Sequence, residues 1–274
     1  MNFSQKHLQD FHELGYCILH DALSEDHHLE IATALRKALP CWEDVKSNSN
    51  TSDSQKVTFP FPADVLNRFF VEPDLLAFAR KALGTEAIHY KPGYSIVRYP
   101  GGMTGSEQGW HIDNGNNSLL PQSDDMRYGQ VVVWYWPEDV TKETAPMRII
   151  PKPYGNDQNH AITLDVPANT LFIMHNYLWH SGSDFEASHG QRYSHGGMLG
   201  VADFHWEGLL SLTHLGRNKT FQSFIGSLSP EEREVFRFPP RGHSYYTKKT
   251  LALLESQYPG WDAREYLENK PSSP

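Results

Sequence analysis

Between residues 87 and 201 the chain is a series of short strand-like segments that turn residues separate from one another. The candidate strands are residues 87–90, 94–99, 110–113, 130–136, 148–150, 161–164, 171–174 and 192–201. Many short strands with frequent turn signals are typical of antiparallel barrels and double sheets. We therefore predict a mainly β fold with helical additions, namely a double-stranded β-helix (a cupin-type jelly roll) whose open mouth can hold a metal.

Helices are expected on both sides of this β region. Ser4 is a typical N-cap residue ahead of a helix that Gly15 would end, and Ser24 precedes a second helical pattern. The pattern returns to helix near the C-terminus. At 274 residues the chain can build one large core. We predict a single domain over residues 1–274, with a helical part at 1–84, a jelly-roll core at 85–204 and a helical extension at 205–274.

One segment ahead of the β region, residues 41–59, is polar and irregular in pattern. Its serine-rich and asparagine-rich centre favours a surface loop. A mobile lid over a functional site is the alternative interpretation.

Three residues within the predicted strands have the types and spacing of metal ligands. His111 and Asp113 are two positions apart, so an extended strand projects both side chains to the same face. His180 follows a strongly apolar stretch and would come from a distant strand. Two histidines and one carboxylate on one face of a metal are the ligand set of non-haem Fe(II) oxygenases, in which the remaining positions stay open. His175 is the rival to His180, whereas His189, His195 and His205 are better explained as ordinary polar residues.

An arginine downstream of His180 could bind an anion beside this metal. The Arg192 guanidinium is a permanently charged fork that can hold a carboxylate through two hydrogen bonds, and Ser194 on the same strand face could add a third. Together these residues predict a dicarboxylate that chelates the metal at one end and is bound by Arg192 and Ser194 at the other.

The chain resembles the phytanoyl-CoA dioxygenase family of Fe(II)- and 2-oxoglutarate-dependent oxygenases. Residues 11–19 resemble the opening helix–glycine–strand segment of the family, and residues 146–151 resemble the segment between its two ligand clusters. Pro146, Lys152 and Ala168 depart from the family pattern at turns. The resemblance implies His111, Asp113 and His180 as iron ligands, Arg192 as the 2-oxoglutarate arginine, Arg98 as a polar residue near 2-oxoglutarate, and O2 as second co-substrate. Because Asp113 retains the carboxylate that halogenating relatives lack, it also implies hydroxylation, desaturation or cyclisation rather than chlorination.

The sequence constrains the identity of the substrate less than it constrains the metal ligands and the co-substrate. Trp110, Asn114 and Trp179 flank the ligand segments and are the candidate substrate contacts. The polar stretch that begins at Asn114 favours a small functionalised metabolite over a carrier-bound acyl chain. We predict oxidation of an unactivated C–H bond with release of succinate and CO2. The alternative is a cupin-like metal-binding protein, or a non-redox enzyme using Zn(II) or Mn(II), without 2-oxoglutarate turnover; Arg192 argues against it, since such a protein needs no anion clamp.

Charge and cysteine content restrict partners and compartment. The formal net charge of −9 argues against nucleic-acid and anionic-membrane partners, because the chain would repel their phosphates. Cys17 and Cys41 are too few for a disulfide framework, and the start of the chain has no apolar signal region. These features predict a cytoplasmic location, and a small-molecule substrate remains the expected partner. They leave the oligomeric state of the chain open.

Overall fold

A computed structural model describes residues 1–47, 54–91, 93–101, 109–113, 129–202, 218–236, 238–243 and 246–267. Its helices are α1 Gln5–Leu14, α2 Glu25–Ala38, α3 Trp42–Val45, α4 Asp64–Arg68, α5 Pro73–Leu83, α6 Lys219–Ser227, α7 Pro230–Val235, α8 Lys248–Gln257 and α9 Arg264–Leu267. Its strands are β1 Tyr16–Leu19, β2 Ser54–Thr58, β3 Ile88–Lys91, β4 Tyr94–Arg98, β5 Gln130–Trp136, β6 Arg148–Ile149, β7 Ile162–Thr163, β8 Thr170–His175, β9 His180–Ser181 and β10 Arg192–Val201. The predicted alternation of helical ends and a β middle is present.

Seven strands form the larger sheet, in the order β1-β8-β5-β10-β4-β2, with β3 paired to the far end of β10. All of its pairings are antiparallel. Strand β10 lies at the centre, where Arg192 is opposite Arg98 of β4 and Gly196 is opposite Trp134 of β5. This register places Arg98 of β4, Trp134 of β5 and Arg192 of β10 on one face of the sheet.

A smaller sheet, β7-β6-β9, covers part of that face. Apolar side chains from β5, β6 and β8 pack between the two sheets, including Trp136, Ile149 and Phe172. On the opposite face of the larger sheet, a second core joins the strands to the N-terminal and C-terminal helices, from Phe11 to Tyr266. The residues predicted to bind a metal therefore lie between two sheets, and the helices pack against the other face of the larger sheet.

The predicted helix signals at the N-terminus are confirmed. Ser4 caps α1, with its hydroxyl accepting a hydrogen bond from the His7 backbone, and Gly15 ends the helix in the left-handed conformation at φ 83°. A side chain at Gly15 would also meet Leu178 at 2.8 Å. Glycine is thus required here both by backbone conformation and by close packing.

The prediction of a surface loop over residues 41–59 is wrong for the described part of that segment. Trp42–Val45 is a short helix, and Ser54–Thr58 is an edge strand that pairs along β4. An edge strand needs partner hydrogen bonds on only one side and tolerates polar side chains, so its sequence does not show the apolar alternation of a central strand. Residues 48–53, at the centre of the suggested lid, lie outside the described residues.

Arg233 joins three of the C-terminal helices. Its side chain is almost fully buried and donates hydrogen bonds to the carbonyls of Ile225 and Gly226. It also forms an ion pair with Glu265 at 3.0 Å and stacks over Trp261 at 4.0 Å. A buried guanidinium that is both paired and hydrogen-bonded ties these short helices to one another.

None of the helices in the described ranges is long and apolar enough to cross a membrane.

His195 is buried in the core between the larger sheet and the helices (the helix-side core), and it should make the free energy of unfolding depend on pH. Burial among aromatic rings lowers the pKa of its imidazole to about 3, so the native state keeps it neutral, while the unfolded chain binds a proton below about pH 6.5. Its contribution is therefore fully present above pH 6.5 and is lost as the pH falls, at about 1.4 kcal/mol per pH unit.

Urea unfolding at pH 7 and pH 5 checks this dependence. Wild type should lose about 2 kcal/mol more stability between these pH values than His195→Gln does, because only wild type has this buried imidazole to protonate on unfolding. Glutamine retains a donor for the Leu66 carbonyl and an acceptor for the Ser95 hydroxyl. Equal losses in the two proteins would contradict the assignment.

Candidate active site

Backbone pairing brings the two predicted histidine ligands together. His111 and His180 form an isolated antiparallel bridge, and each backbone N–H donates to the other's carbonyl at 3.0 Å. Their ring centres are 4.3 Å apart. The predicted strand at 110–113 is reduced to this bridge in the described residues 109–113. The bridge suffices to place both imidazoles side by side.

Asp113 completes the cluster. One carboxylate oxygen lies 3.9 Å from His111 Nε2, and the other lies 3.5 Å from His180 Nε2. Ligand atoms of the three residues all lie within 4.8 Å of one another. Two atoms that each bind one metal at about 2 Å are at most about 4 Å apart, and the two distances from Asp113 to the imidazoles fall within that limit, so they fit a metal site.

Hydrogen bonds orient both imidazoles toward the common centre. His111 Nδ1 lies 3.1 Å from the Gly109 carbonyl, and His180 Nδ1 lies 2.9 Å from the Leu178 carbonyl. A carbonyl only accepts, so Nδ1 carries the proton and Nε2 keeps its lone pair for a metal. Burial lowers the pKa of His180, against the opposing effect of the Asp113 charge, which favours the neutral imidazole that ligation needs.

Arg192 and Arg98 form a cationic end to the cavity. Both are buried, and they lie opposite each other on β10 and β4. Burial, and then the nearby Arg98 charge, lower the pKa of Arg192 to about 9. The buried Arg192 Nε has no hydrogen-bond partner within the part of the chain that the structure describes, whereas Arg98 Nη1 donates to the Ser183 carbonyl at 3.3 Å. A bound carboxylate would accept a hydrogen bond from Arg192 Nε, and its negative charge would offset the positive charges of the two guanidinium groups.

Ser194 is held by a tryptophan. The Trp136 indole N–H donates to the Ser194 hydroxyl at 3.1 Å. Because this bond uses an acceptor position of the hydroxyl, the Ser194 proton remains available to donate to an anion. The contact joins residues of β5 and β10 that are far apart in sequence.

One cavity of about 130 Å³ contains all of these groups. Its walls are Tyr94, Ile96, Arg98, His111, Asp113, Trp134, Trp136, Ala145, Met147, His180, Ser181, Gly182, Arg192 and Ser194. Several of these wall residues are not among those predicted from the sequence, including Tyr94, Trp134, Trp136 and Met147. For Tyr94, Trp134 and Trp136 the sequence signal is alternation on strands that face the cavity, and core residues give the same signal. Met147 directly precedes β6 and gives no such signal. Tyr94 meets Trp134 edge to face at 5.4 Å.

The structure locates two of the three predicted substrate contacts away from the walls of this cavity. The Arg148 guanidinium lies over the Trp110 ring, 5.2 Å from the centre of that ring. Trp179 is half-buried, and its carbonyl accepts a hydrogen bond from the Ile150 backbone. Asn114 lies outside the described residues.

Three of the competing histidines, His175, His189 and His195, are not part of the cluster. His175 Nδ1 accepts from the Tyr177 backbone at 3.1 Å, and His195 lies in the helix-side core. His189 is exposed beside Ser188. His205 lies outside the described residues.

Among solved structures, the chain is similar to SnoK, a non-haem alpha-ketoglutarate-dependent carbocyclase from nogalamycin biosynthesis. The TM-score is 0.57 at 17% identity, over 79% of this chain and 91% of that chain. It is also similar to EctD from S. alaskensis with 2-oxoglutarate and 5-hydroxyectoine (TM-score 0.57, 14% identity, 77% and 80% covered). A third similar structure is HygX from Streptomyces hygroscopicus with nickel and 2-oxoglutarate (TM-score 0.55, 13% identity, 78% and 94% covered). These likenesses confirm the predicted cupin-type fold class, and the described strands form two sheets without a closed barrel.

Sequence comparison identifies the family. No curated protein sequence matches the chain significantly. The family model for phytanoyl-CoA dioxygenase matches residues 11–189, which is more than half of the chain. The match contains His111, Asp113 and His180, and it ends shortly before Arg192. The chain belongs to the phytanoyl-CoA dioxygenase family.

Proposed function

We propose that this protein is an Fe(II)- and 2-oxoglutarate-dependent dioxygenase that oxidises an unactivated C–H bond of a small organic metabolite, with hydroxylation as the main outcome. The observation that carries the proposal is one cavity in which His111, Asp113 and His180 lie together with the buried Arg192. Two imidazoles and one carboxylate suit Fe(II), and the guanidinium suits the distal carboxylate of 2-oxoglutarate. Family membership and structural neighbours crystallised with 2-oxoglutarate support the same reaction type.

The residues of this chain would divide the work as follows. His111, Asp113 and His180 would hold the iron on one face. Arg192, assisted by Ser194 and by the nearby Arg98 charge, would bind and orient 2-oxoglutarate. When bound, ferrous iron with 2-oxoglutarate and O2 supplies the oxidising power for C–H cleavage and releases succinate and CO2. Tyr94, Trp134 and Met147 would exclude water and shape the substrate space.

Several broader features belong to the same proposal. Buried residues from both chain ends share one core with the strands, which supports a single domain over residues 1–274. Two neighbours were solved in complex with small molecules, EctD with 5-hydroxyectoine and the epimerase SnoN with nogalamycin RO, which supports a small-molecule substrate. A reducing, cytoplasmic location is proposed from the two cysteines, which are free in the structure.

Anaerobic addition of Fe(II) and 2-oxoglutarate tests the proposal directly. We expect a weak visible metal-to-ligand absorption in wild type and its loss in His180→Ala. After O2 is admitted, succinate should form, and candidate metabolites should stimulate its release. In the product, a gain of one oxygen would indicate hydroxylation, and a loss of two hydrogens would indicate desaturation or cyclisation. If wild type binds Zn(II) or Mn(II) but shows neither the absorption nor succinate, the non-redox alternative would replace the proposal.

A further inference from the structure

Three residues form a row across the strands that carry the two histidine ligands. Arg148 of β6 is opposite Ser181 of β9. His111 is opposite His180, and continuing this antiparallel register places Trp110 opposite Ser181. The row Arg148–Ser181–Trp110 is therefore one position away from the row that contains His180 and His111. Successive residues of an extended strand point to opposite faces, so Arg148 and Trp110 lie behind the imidazoles.

The Arg148 side chain spans this row. Its Nη2 donates to the Ser181 hydroxyl at 3.0 Å, and its guanidinium lies over the Trp110 ring at 5.2 Å. Ser181 in turn donates to the Gly182 carbonyl at 2.9 Å. One planar cation thus contacts the residue that precedes His111 and the residue that follows His180.

Although its partner Ser181 is among the described walls of the metal-site cavity, Arg148 itself is not. It lines a separate surface cavity of about 400 Å³ together with Lys142 and Asp184. A role for Arg148 must therefore act through the strands. Among the described residues, the bridge between His111 and His180 is isolated, with backbone hydrogen bonds at this one residue pair, so the described backbone pairing constrains the two segments weakly.

We propose that Arg148 is a positioning residue that fixes the segments carrying His111 and His180 relative to each other and thereby sets the affinity of the metal site. The inference rests on the proposed function to the extent that these histidines bind a metal. It gives Trp110 a supporting role behind its neighbour His111, in place of the substrate contact expected from the sequence. Substitution of a residue that orients metal ligands without binding the metal typically lowers metal affinity by about 10- to 100-fold.

Anaerobic titration of the metal-free protein with Co(II), followed by its visible ligand-field absorption, measures this effect without turnover. Arg148→Met should weaken Co(II) binding by about 10- to 100-fold and alter the absorption spectrum. Arg148→Lys should recover part of the affinity, because an ammonium can still donate to the Ser181 hydroxyl. Lys142→Met is the matched control, since it removes a cation from the same surface cavity without touching Ser181 or Trp110, and its affinity should equal that of wild type.

Ser181→Ala provides a second, milder variant should Arg148→Met fold poorly. Since both residues act through one hydrogen bond, the effects of Ser181→Ala and Arg148→Met should be less than additive in the double variant. Thermal melting of the metal-free proteins separates the roles, because a merely structural residue would lower the melting temperature and leave Co(II) affinity and spectrum unchanged. That result, or wild-type affinity in both variants, would overturn the proposal. Failure of wild type itself to bind Co(II) would instead refute the metal site.

Discussion

Asp113→Ala is expected to reduce succinate formation by at least about 10³-fold, because a metal centre provides several kcal/mol of transition-state stabilisation and each 1.36 kcal/mol corresponds to a factor of ten. Asp113 is the only carboxylate of the described metal-ligand cluster. Without it, two neutral imidazoles remain, and the charge that holds a divalent cation is lost. The measurement is succinate release under saturating Fe(II) and 2-oxoglutarate, together with the iron content of the anaerobically loaded protein.

Asp165→Ala is the matched control for this change. Asp165 is an exposed carboxylate between β7 and β8, and it is not part of the cluster. Its removal should leave iron content and succinate formation at the wild-type level. Retention of stoichiometric iron and turnover in Asp113→Ala would show that a different group binds the metal.

The same assay separates the rival histidines. His180→Ala should lose iron and turnover, whereas His175→Ala should keep both, because His175 Nδ1 accepts from the Tyr177 backbone and lies outside the cluster. Loss of iron in His175→Ala with retention in His180→Ala would reverse the assignment. Melting curves of the metal-free variants would show whether either change acts through unfolding.

The positions of the ligand candidates were predictable because their signals are local. His111 and Asp113 are two residues apart, and Arg192 begins a run of strand-like residues, so the strand period alone suggests which side chains share a face. The structure adds the pairing of His111 with His180, which makes the cluster compact. Strand register of this kind follows from the whole sheet and not from either segment.

The contacts that were not predicted all depend on register between distant segments. Trp136 meets Ser194 only because β5 lies beside β10, and Arg148 reaches Trp110 only across β9. Each residue alone fits an ordinary role in a core or on a surface. The edge strand Ser54–Thr58 was not predicted because its backbone pairing with the distant β4 stabilises it. Its own sequence shows little apolar alternation.

Arg192→Met is expected to raise the KM for 2-oxoglutarate by about 10²- to 5 × 10³-fold. Removing one partner of a buried charge pair costs about 3–5 kcal/mol, because the remaining carboxylate is left buried without compensation. Arg192 is buried and its Nε meets no acceptor among the described residues, so the site is organised to receive an anion. Methionine keeps most of the side-chain volume and removes the charge and the donors.

Three comparisons make the result specific to a carboxylate clamp. Arg192→Lys should have a smaller effect, since lysine keeps the charge but loses the two-point geometry. Ser194→Ala should raise KM by about five- to tenfold, the equivalent of about 1 kcal/mol for one hydrogen bond. Arg36→Met removes an exposed guanidinium paired with Glu138 and should change nothing. Iron affinity without 2-oxoglutarate should remain at the wild-type level in all of them, because Arg192 is not part of the cluster that would bind iron.

A variant of the neighbouring Arg98 tests whether Arg192 is the principal ligand of the 2-oxoglutarate carboxylate. Arg98 is opposite Arg192 and donates to the Ser183 carbonyl, so its charge assists the anion while one of its donors is already used. Arg98→Met should therefore raise the KM for 2-oxoglutarate less than Arg192→Met does. Arg98→Met could instead produce the larger increase in KM while Arg192→Met keeps the wild-type KM. Arg98 would then be the principal ligand of the 2-oxoglutarate carboxylate, and the Arg192 guanidinium would be available to bind an anionic group of the substrate.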